Sequence, residues 1–203
     1  MSLPVGEKAV ALIVAEEDVS EAWYAANAAH PVWPGGASGV TIGIGYDLGQ
    51  QTASQIAVDW EGRLSADDVT ALIAVAGLKG RAASARLPYV RHVIVPWSDG
   101  IAVFRTSTLP RYAEGTENVL TNCDKLSPDA FGALVSISYN RGWNGWQMDD
   151  NRHTEMAQIA DAMDAEDFAS VPGLIRAMKR LWPAGSGLRG RRDREAALFE
   201  ASI

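Results

Sequence analysis

Two groups of residues could carry acid–base chemistry. Glu16, Glu17 and Asp18 close an apolar, helix-like segment. Thr41, Tyr46 and Asp47 are the polar side chains of the run Gly39-Val40-Thr41-Ile42-Gly43-Ile44-Gly45-Tyr46-Asp47-Leu48-Gly49. A carboxylate at a helix end facing a strand with a second carboxylate can work as an acid–base pair. β-Branched residues alternating with glycine suit a short, half-exposed hairpin, and glycine within a strand lets a ligand approach the backbone closely. A plainer reading stands beside each residue. Asp before Leu-Gly readily bonds its own backbone, and Thr41 is a β-former on any strand. Neighbours on a helix point in different directions, so at most one of Glu16, Glu17 and Asp18 enters a site. Helical phase from Leu12 and Ile13 puts position 16 near the apolar stripe and position 17 at its edge, which leaves both open.

The elements that must position these groups follow from periodicity and punctuation. Val5, Ala9, Val10, Leu12, Ile13 and Val14 predict a helix over 5–17 with one broad buried face. Trp23 and Tyr24 continue a helical turn or two, until His30-Pro31-Val32-Trp33-Pro34-Gly35-Gly36 breaks it. After Gly49 the chain reads helical almost to its end. Thr52 is expected to cap a helix through Trp60, and Ser65 one through Val75 that ends at Gly77 and Gly80. A short helix is expected over 81–92, and Ser98 should cap one through Arg105. Thr108 with Pro110, and Ser127 with Pro128, are further starts. The helix from Ser127 runs towards Asn140, and 142–153 is a loop rich in Trp, Asn, Gly and Asp. Helices over 154–162, from Ser170 or Pro172 to near Trp182, and over 188–200 complete the chain. Leu188, Ala196, Ala197, Leu198 and Phe199 should pack the last of these against residues 128–141.

Composition narrows the function classes. The 203 residues are 47% hydrophobic, enough for a substantial core. A formal net charge of −7 and a pI of about 4.9 oppose general nucleic-acid binding, which needs a basic face. The basic residues crowd the C-terminal end, at Arg176, Lys179, Arg180, Arg189, Arg191, Arg192 and Arg194, and read as a solvated helix face neutralised by neighbouring acids. The single cysteine, Cys123, excludes an intramolecular disulfide and a multi-cysteine metal site. His30, His92 and His153 are scattered without zinc-motif spacing and read as ordinary surface or hydrogen-bonded residues. No apolar run is long enough to span a membrane, and no signal-peptide core precedes the first helix. Seven tryptophans is a high count, and flat aromatic faces serve sugar-binding grooves as well as cores.

Glu17, then Tyr24 seven residues on, then Thr41-Ile42-Gly43-Ile44-Gly45 resembles the phage-type lysozymes of glycoside hydrolase family 24. The helix Asp129–Gly142 is similar to that family's "ALVSF.FN.G" segment. Gly173-Leu174 and Gly187-Leu188-Arg189-Gly190-Arg191-Arg192-Asp193-Arg194-Glu195 are similar to its closing "GL..RR..E" segment. The family's aspartate between glutamate and threonine is missing, and no carboxylate lies between Glu21 and Asp47. The order Glu, Thr, Asp resembles the lysozyme-like domain of pesticin-type bacteriocins.

The resemblance implies an α+β, lysozyme-like fold in one domain over 1–203. It is mainly helical, with a β-hairpin lobe at about 37–50, a helical lobe at about 51–203, the helix 5–17 and a cleft between lobes. It implies an N-acetylmuramidase that cleaves the β-1,4 bond between N-acetylmuramic acid and N-acetylglucosamine in peptidoglycan. Glu17 would be the general acid, favoured over Glu16 by the distance to Tyr24. Thr41 would hold the water or contact sugar, and Asp47 would be the second carboxylate. Tyr46 stands where the family has histidine; with Asn140, Arg141 and Trp143 it is a candidate substrate contact, and Trp146 is a further candidate lining residue. No metal or organic cofactor is implied. The expected partner is the glycan strand alone, with neither nucleic acid nor membrane insertion, and the expected state is a monomer. The enzyme would be made in the cytoplasm and reach the wall through release or export by another factor. A lytic transglycosylase or other glycan hydrolase using Glu17 alone is the neighbouring alternative, and a non-catalytic glycan-binding protein on the same fold the more distant one.

Overall fold

The structure, a computed structural model, describes residues 3–16 and 20–203. It is mostly helical, with one small antiparallel sheet. The chain divides into two compact units, Met1–Glu16 with Pro110–Ile203, and Glu17–Leu109. The hairpin therefore shares its unit with the helix Glu21–Asn27 before it and with the helices that follow it as far as Leu109. No helix among the described residues is long and apolar enough to cross a membrane.

In the unit 17–109, Ser20 caps α2 (Glu21–Asn27) by accepting from the Trp23 amide. Strands β1 (Thr41–Ile42) and β2 (Tyr46–Asp47) pair Thr41 with Asp47 and Ile42 with Tyr46. Helix α3 (Ala53–Trp60) opens with a complete capping box, Thr52 and Gln55 each bonding the other's backbone amide. Ser65 caps α4 (Ala66–Ile73) through the Asp68 amide. The caps at Thr52 and Ser65 stand where the sequence expects them, and the Ser20 cap was not foreseen.

Other boundaries differ. Gly80, expected to follow a helix, begins α5 (Gly80–Val90) instead, and Gly77 takes a positive φ of 71° in the connection. Ser98 lies inside α6 (Trp97–Val103), whose N-cap is Pro96. The helix does not stop near Arg105. It passes through a wider π-type turn, Phe104–Thr108, into α7 (Leu109–Glu117). Pro110 is tolerated because it sits at the start of a new register.

One apolar cluster fills this unit: Val40, Ile42, Tyr46 and Leu48 from the hairpin region meet Ile56, Trp60 and Leu72. Tyr24 is also buried, donates to the Val95 carbonyl at 2.9 Å and meets Trp97 edge-on at 5.2 Å. Burial, helped by Asp99, raises its phenol pKa well above the usual value.

The other unit is built round α8 (Pro128–Arg141), in which every residue from Ala130 to Ser138 is buried. A helix buried on all sides has no single apolar stripe. Helix α1 (Glu7–Glu16) packs on it at Gly132, where a Cβ would lie 2.2 Å from Ala9 Cβ. Asp129 of α8 caps α1 from across the contact, accepting from the Lys8 and Ala9 amides at 3.2 and 3.3 Å. Helices α9 (Thr154–Asp164), α10 (Val171–Ala177) and α11 (Gly187–Glu200) complete the unit, and α11 packs on both α8 and α10 as its apolar residues require.

The C-terminal arginines do not form one solvated face. Arg191 and Arg192 are buried with Glu195. The Glu195 carboxylate accepts from Ser136 at 2.6 Å and from Arg191 and Arg192 at 3.1 and 3.0 Å. Burial pulls the Arg192 pKa down to about 10 against the pull of Glu195, and pushes the Glu195 carboxyl up against its two arginines. Outside this core, Arg176 pairs with Glu200, Lys179 with Asp193, and Arg194 with Glu16.

Candidate functional site

Glu17, together with Asp18, lies outside the described residues. Glu16, its neighbour and rival, is the last residue of α1, and its side chain is only 8% exposed. Both of its oxygens accept from Arg194, through Nε and through Nη2, the latter at 2.9 Å. A bidentate pair of this kind holds a carboxylate in one orientation. That explains the apolar-side phase of position 16 without any chemistry and anchors the residue that immediately precedes Glu17.

The hairpin sorts its side chains by strand alternation. From Thr41 to Leu48 burial alternates residue by residue. Ile42 and Tyr46 point into the core, while Thr41 and Asp47, paired across the ladder, share the opposite, partly exposed face. The Thr41 hydroxyl has no hydrogen-bond partner among the described residues, whereas its backbone bonds Val32 in both directions at 2.7 and 3.0 Å.

Asp47 is more occupied. Oδ1 accepts from the Gly49 amide at 2.8 Å, and Oδ2 from the Gly39 amide at 3.3 Å and the Gln50 side chain at 3.4 Å. The carboxylate thus caps the short 3-10 turn Leu48–Gln50 and ties it to the strand entrance. Three of its roughly four acceptor positions are in use.

The glycines serve this packing. A Cβ at Gly39 would lie 2.2 Å from Asp47 Oδ1, and one at Gly49 2.6 Å from the Leu78 carbonyl. Gly43 and Gly45 take positive φ, 55° and 62°, in the hairpin turn. They are accounted for by turn geometry and close backbone approach, where the sequence suggested room for a ligand.

Tyr46 needs correction as a substrate contact. It is 2% exposed, donates to Asp59 at 2.6 Å and meets Trp60 edge-on at 5.5 Å. Its alternation phase puts it on the core side, so it supports the hairpin from beneath. Trp146 is likewise core, 2% exposed, with Nε1 donating to Ser138 at 2.8 Å. Trp143 is half-buried, edge-on to Tyr112 at 5.0 Å and seated on Gly115, where a Cβ would fall 2.6 Å from the indole.

Asn140 and Arg141 come together at the C-terminal end of α8. They line a pocket of about 200 Å³ with Arg152, His153, Trp182 and Leu188. Asn140 accepts from Arg192 at 3.2 Å, and the Arg141 guanidinium lies 5.5 Å from the centre of the Trp182 ring. Of the six, only Asn140 and Arg141 were candidate substrate contacts from the sequence, whereas His153 read as an ordinary surface or hydrogen-bonded residue and Leu188 as a packing residue. Arg152 and His153 lay in a stretch read only as loop, and nothing local marks Trp182 as their neighbour.

Among known families, residues 13–94 match one described as a domain of unknown function, DUF8812. No curated protein matches the chain. The matched segment runs from within α1 through the hairpin to just beyond α5, so it contains Glu17, Thr41 and Asp47.

Proposed function

We propose that the chain is a peptidoglycan hydrolase of lysozyme-like fold, an N-acetylmuramidase that acts on the β-1,4 glycosidic bond of wall glycan. Glu17 is the proton donor to the leaving oxygen. Thr41 holds the attacking water or the sugar, and Asp47 is the second carboxylate. The observation that carries this reading is the hairpin: the Thr-Ile-Gly-Ile-Gly run turns Thr41 and Asp47 to one open face and braces them with a buried Ile42–Tyr46 pair. Support also comes from the two later segments of the resemblance. They fold as α8 and as α10 with α11, and α11 packs on both of the others within a single unit.

A second reading is favoured by the bonding of Asp47. A carboxylate committed to the Gly39 and Gly49 amides is a poor candidate for a freely acting base, and cleavage with Glu17 alone is then lytic transglycosylation. Digestion of purified peptidoglycan with mass analysis of the products separates the two. Reducing muramic acid ends support hydrolysis, and 1,6-anhydro ends support the single-glutamate route. Intact glycan overturns both.

A further inference from the structure

The pocket at the end of α8 is cationic and has no acid in its lining. Arg141 Nε donates to Met156 Sδ at 3.3 Å, Nη2 donates to the Arg152 carbonyl, and the guanidinium carbon lies over the Trp182 ring at 5.5 Å from its centre. None of these partners carries negative charge. Among the described residues no carboxylate comes within ion-pair distance of Arg141 or of Arg152. The other arginines nearby are matched: Arg180 by Glu155, Arg192 by Glu195, and Arg194 by Glu16. Asp150 is turned to His153 Nδ1, 2.9 Å away. Burial first, and then the Arg152 charge, lower the Arg141 pKa from its usual value, against a partial opposing pull from the Glu155 and Asp150 carboxylates, neither of which pairs with it.

An incoming oxyanion would reverse that cost. Guanidinium binds carboxylate through parallel N–H donors, and such charge-assisted bonds are stronger than neutral ones. The rest of the lining limits what else the ligand carries. Trp182 and Leu188 offer apolar surface, Asn140 an amide, and a space of about 200 Å³ admits only a small group.

We propose that this pocket binds a carboxylate bearing a small apolar group, of the kind found at the free end of a peptide, with Arg141 as the anchoring cation and Arg152 as its second. Under the wall-glycan reading the source is the peptide stem attached to the glycan. That assignment of the source rests on the reading above, whereas the binding itself does not.

Calorimetric titration of the intact protein at low salt tests it without requiring cleavage. The probes are N-acetyl-D-alanine, its neutral amide and inorganic phosphate. The expected result is saturable 1:1 binding of N-acetyl-D-alanine in the millimolar range, at least about tenfold weaker for the amide and for Arg141→Gln. Arg152→Gln, an exposed change that leaves the backbone carbonyl bonded to Arg141 in place, should weaken binding several-fold with an unaltered melting curve. Equal binding of acid and amide, no saturable binding of the acid, or binding of phosphate alone would each overturn the proposal. Since no glycan is cut in this experiment, its failure would leave the hydrolase reading standing, and inactive protein that still binds the acid would leave the pocket standing.

Discussion

Replacing Asp47 by alanine should destabilise the hairpin whether or not its carboxylate takes part in chemistry. The change removes the acceptor for two buried amides, those of Gly39 and Gly49, at 3.3 and 2.8 Å. Loss of a capping side chain costs about 1 kcal/mol, and each buried donor left unsatisfied about 1–3 kcal/mol. The longer Gly39 bond belongs at the lower end, so a total of about 2–3 kcal/mol is expected. For a chain of this length that is a fall in Tm of roughly 4–12 °C. Asp47→Asn keeps an oxygen for the Gly49 amide but sets an NH2 group against Gly39, and should cost about half as much. Calorimetric or circular-dichroism melting measures both. Wall-clearing rates taken well below either Tm then separate structure from chemistry. A base lost in Asp47→Asn should lower the rate at least about a hundredfold, while a purely structural carboxylate leaves it within a few-fold. A Tm for Asp47→Ala within about a degree of the parent would refute the bonding account of this residue.

Two further outcomes test the helical unit. Glu195→Gln removes the buried carboxylate that pairs with both Arg191 and Arg192, and should lower stability by about 3–5 kcal/mol, read as the midpoint of urea unfolding. Gly132→Val should cost at least about 2–3 kcal/mol, because its side chain would enter the space of Ala9 and force α1 off α8; a thermal melt unchanged by this substitution would contradict that contact.

Much of the local structure was legible because it is written in short-range chemistry. Thr52, Ser65 and Ser127 announce their helices through a hydroxyl and the amide three residues on, and each cap forms. The hairpin was visible in its alternation, and so was the direction of Thr41 and Asp47 once Ile42 is placed inward. The same alternation puts Tyr46 inward, a consequence that the family position of that residue obscured. Ser98 misled because Pro96, two residues earlier, already fixes the start of α6. The buried Arg191–Glu195–Arg192 group was unreadable. Its charge pattern matches that of a solvated helix, and only the packing of α11 on α8 distinguishes the two. The pocket was half legible for a similar reason. Asn140 and Arg141 are adjacent in sequence, but Arg152, Trp182 and Leu188 join them only through tertiary packing.

The proposed role of Glu17 as proton donor in glycosidic cleavage is tested by the initial rate of reducing-end release from purified peptidoglycan by Glu17→Gln beside Glu16→Gln. Glu17→Gln should lose at least about a hundredfold in rate with little change in Tm, since the amide keeps the shape and cannot give up the proton. Glu16→Gln, which weakens the ion pair with Arg194, should keep most of its rate and lose some thermal stability. A Glu17→Gln variant that releases reducing ends as fast as the parent, or a loss of rate confined to Glu16→Gln, would contradict that role.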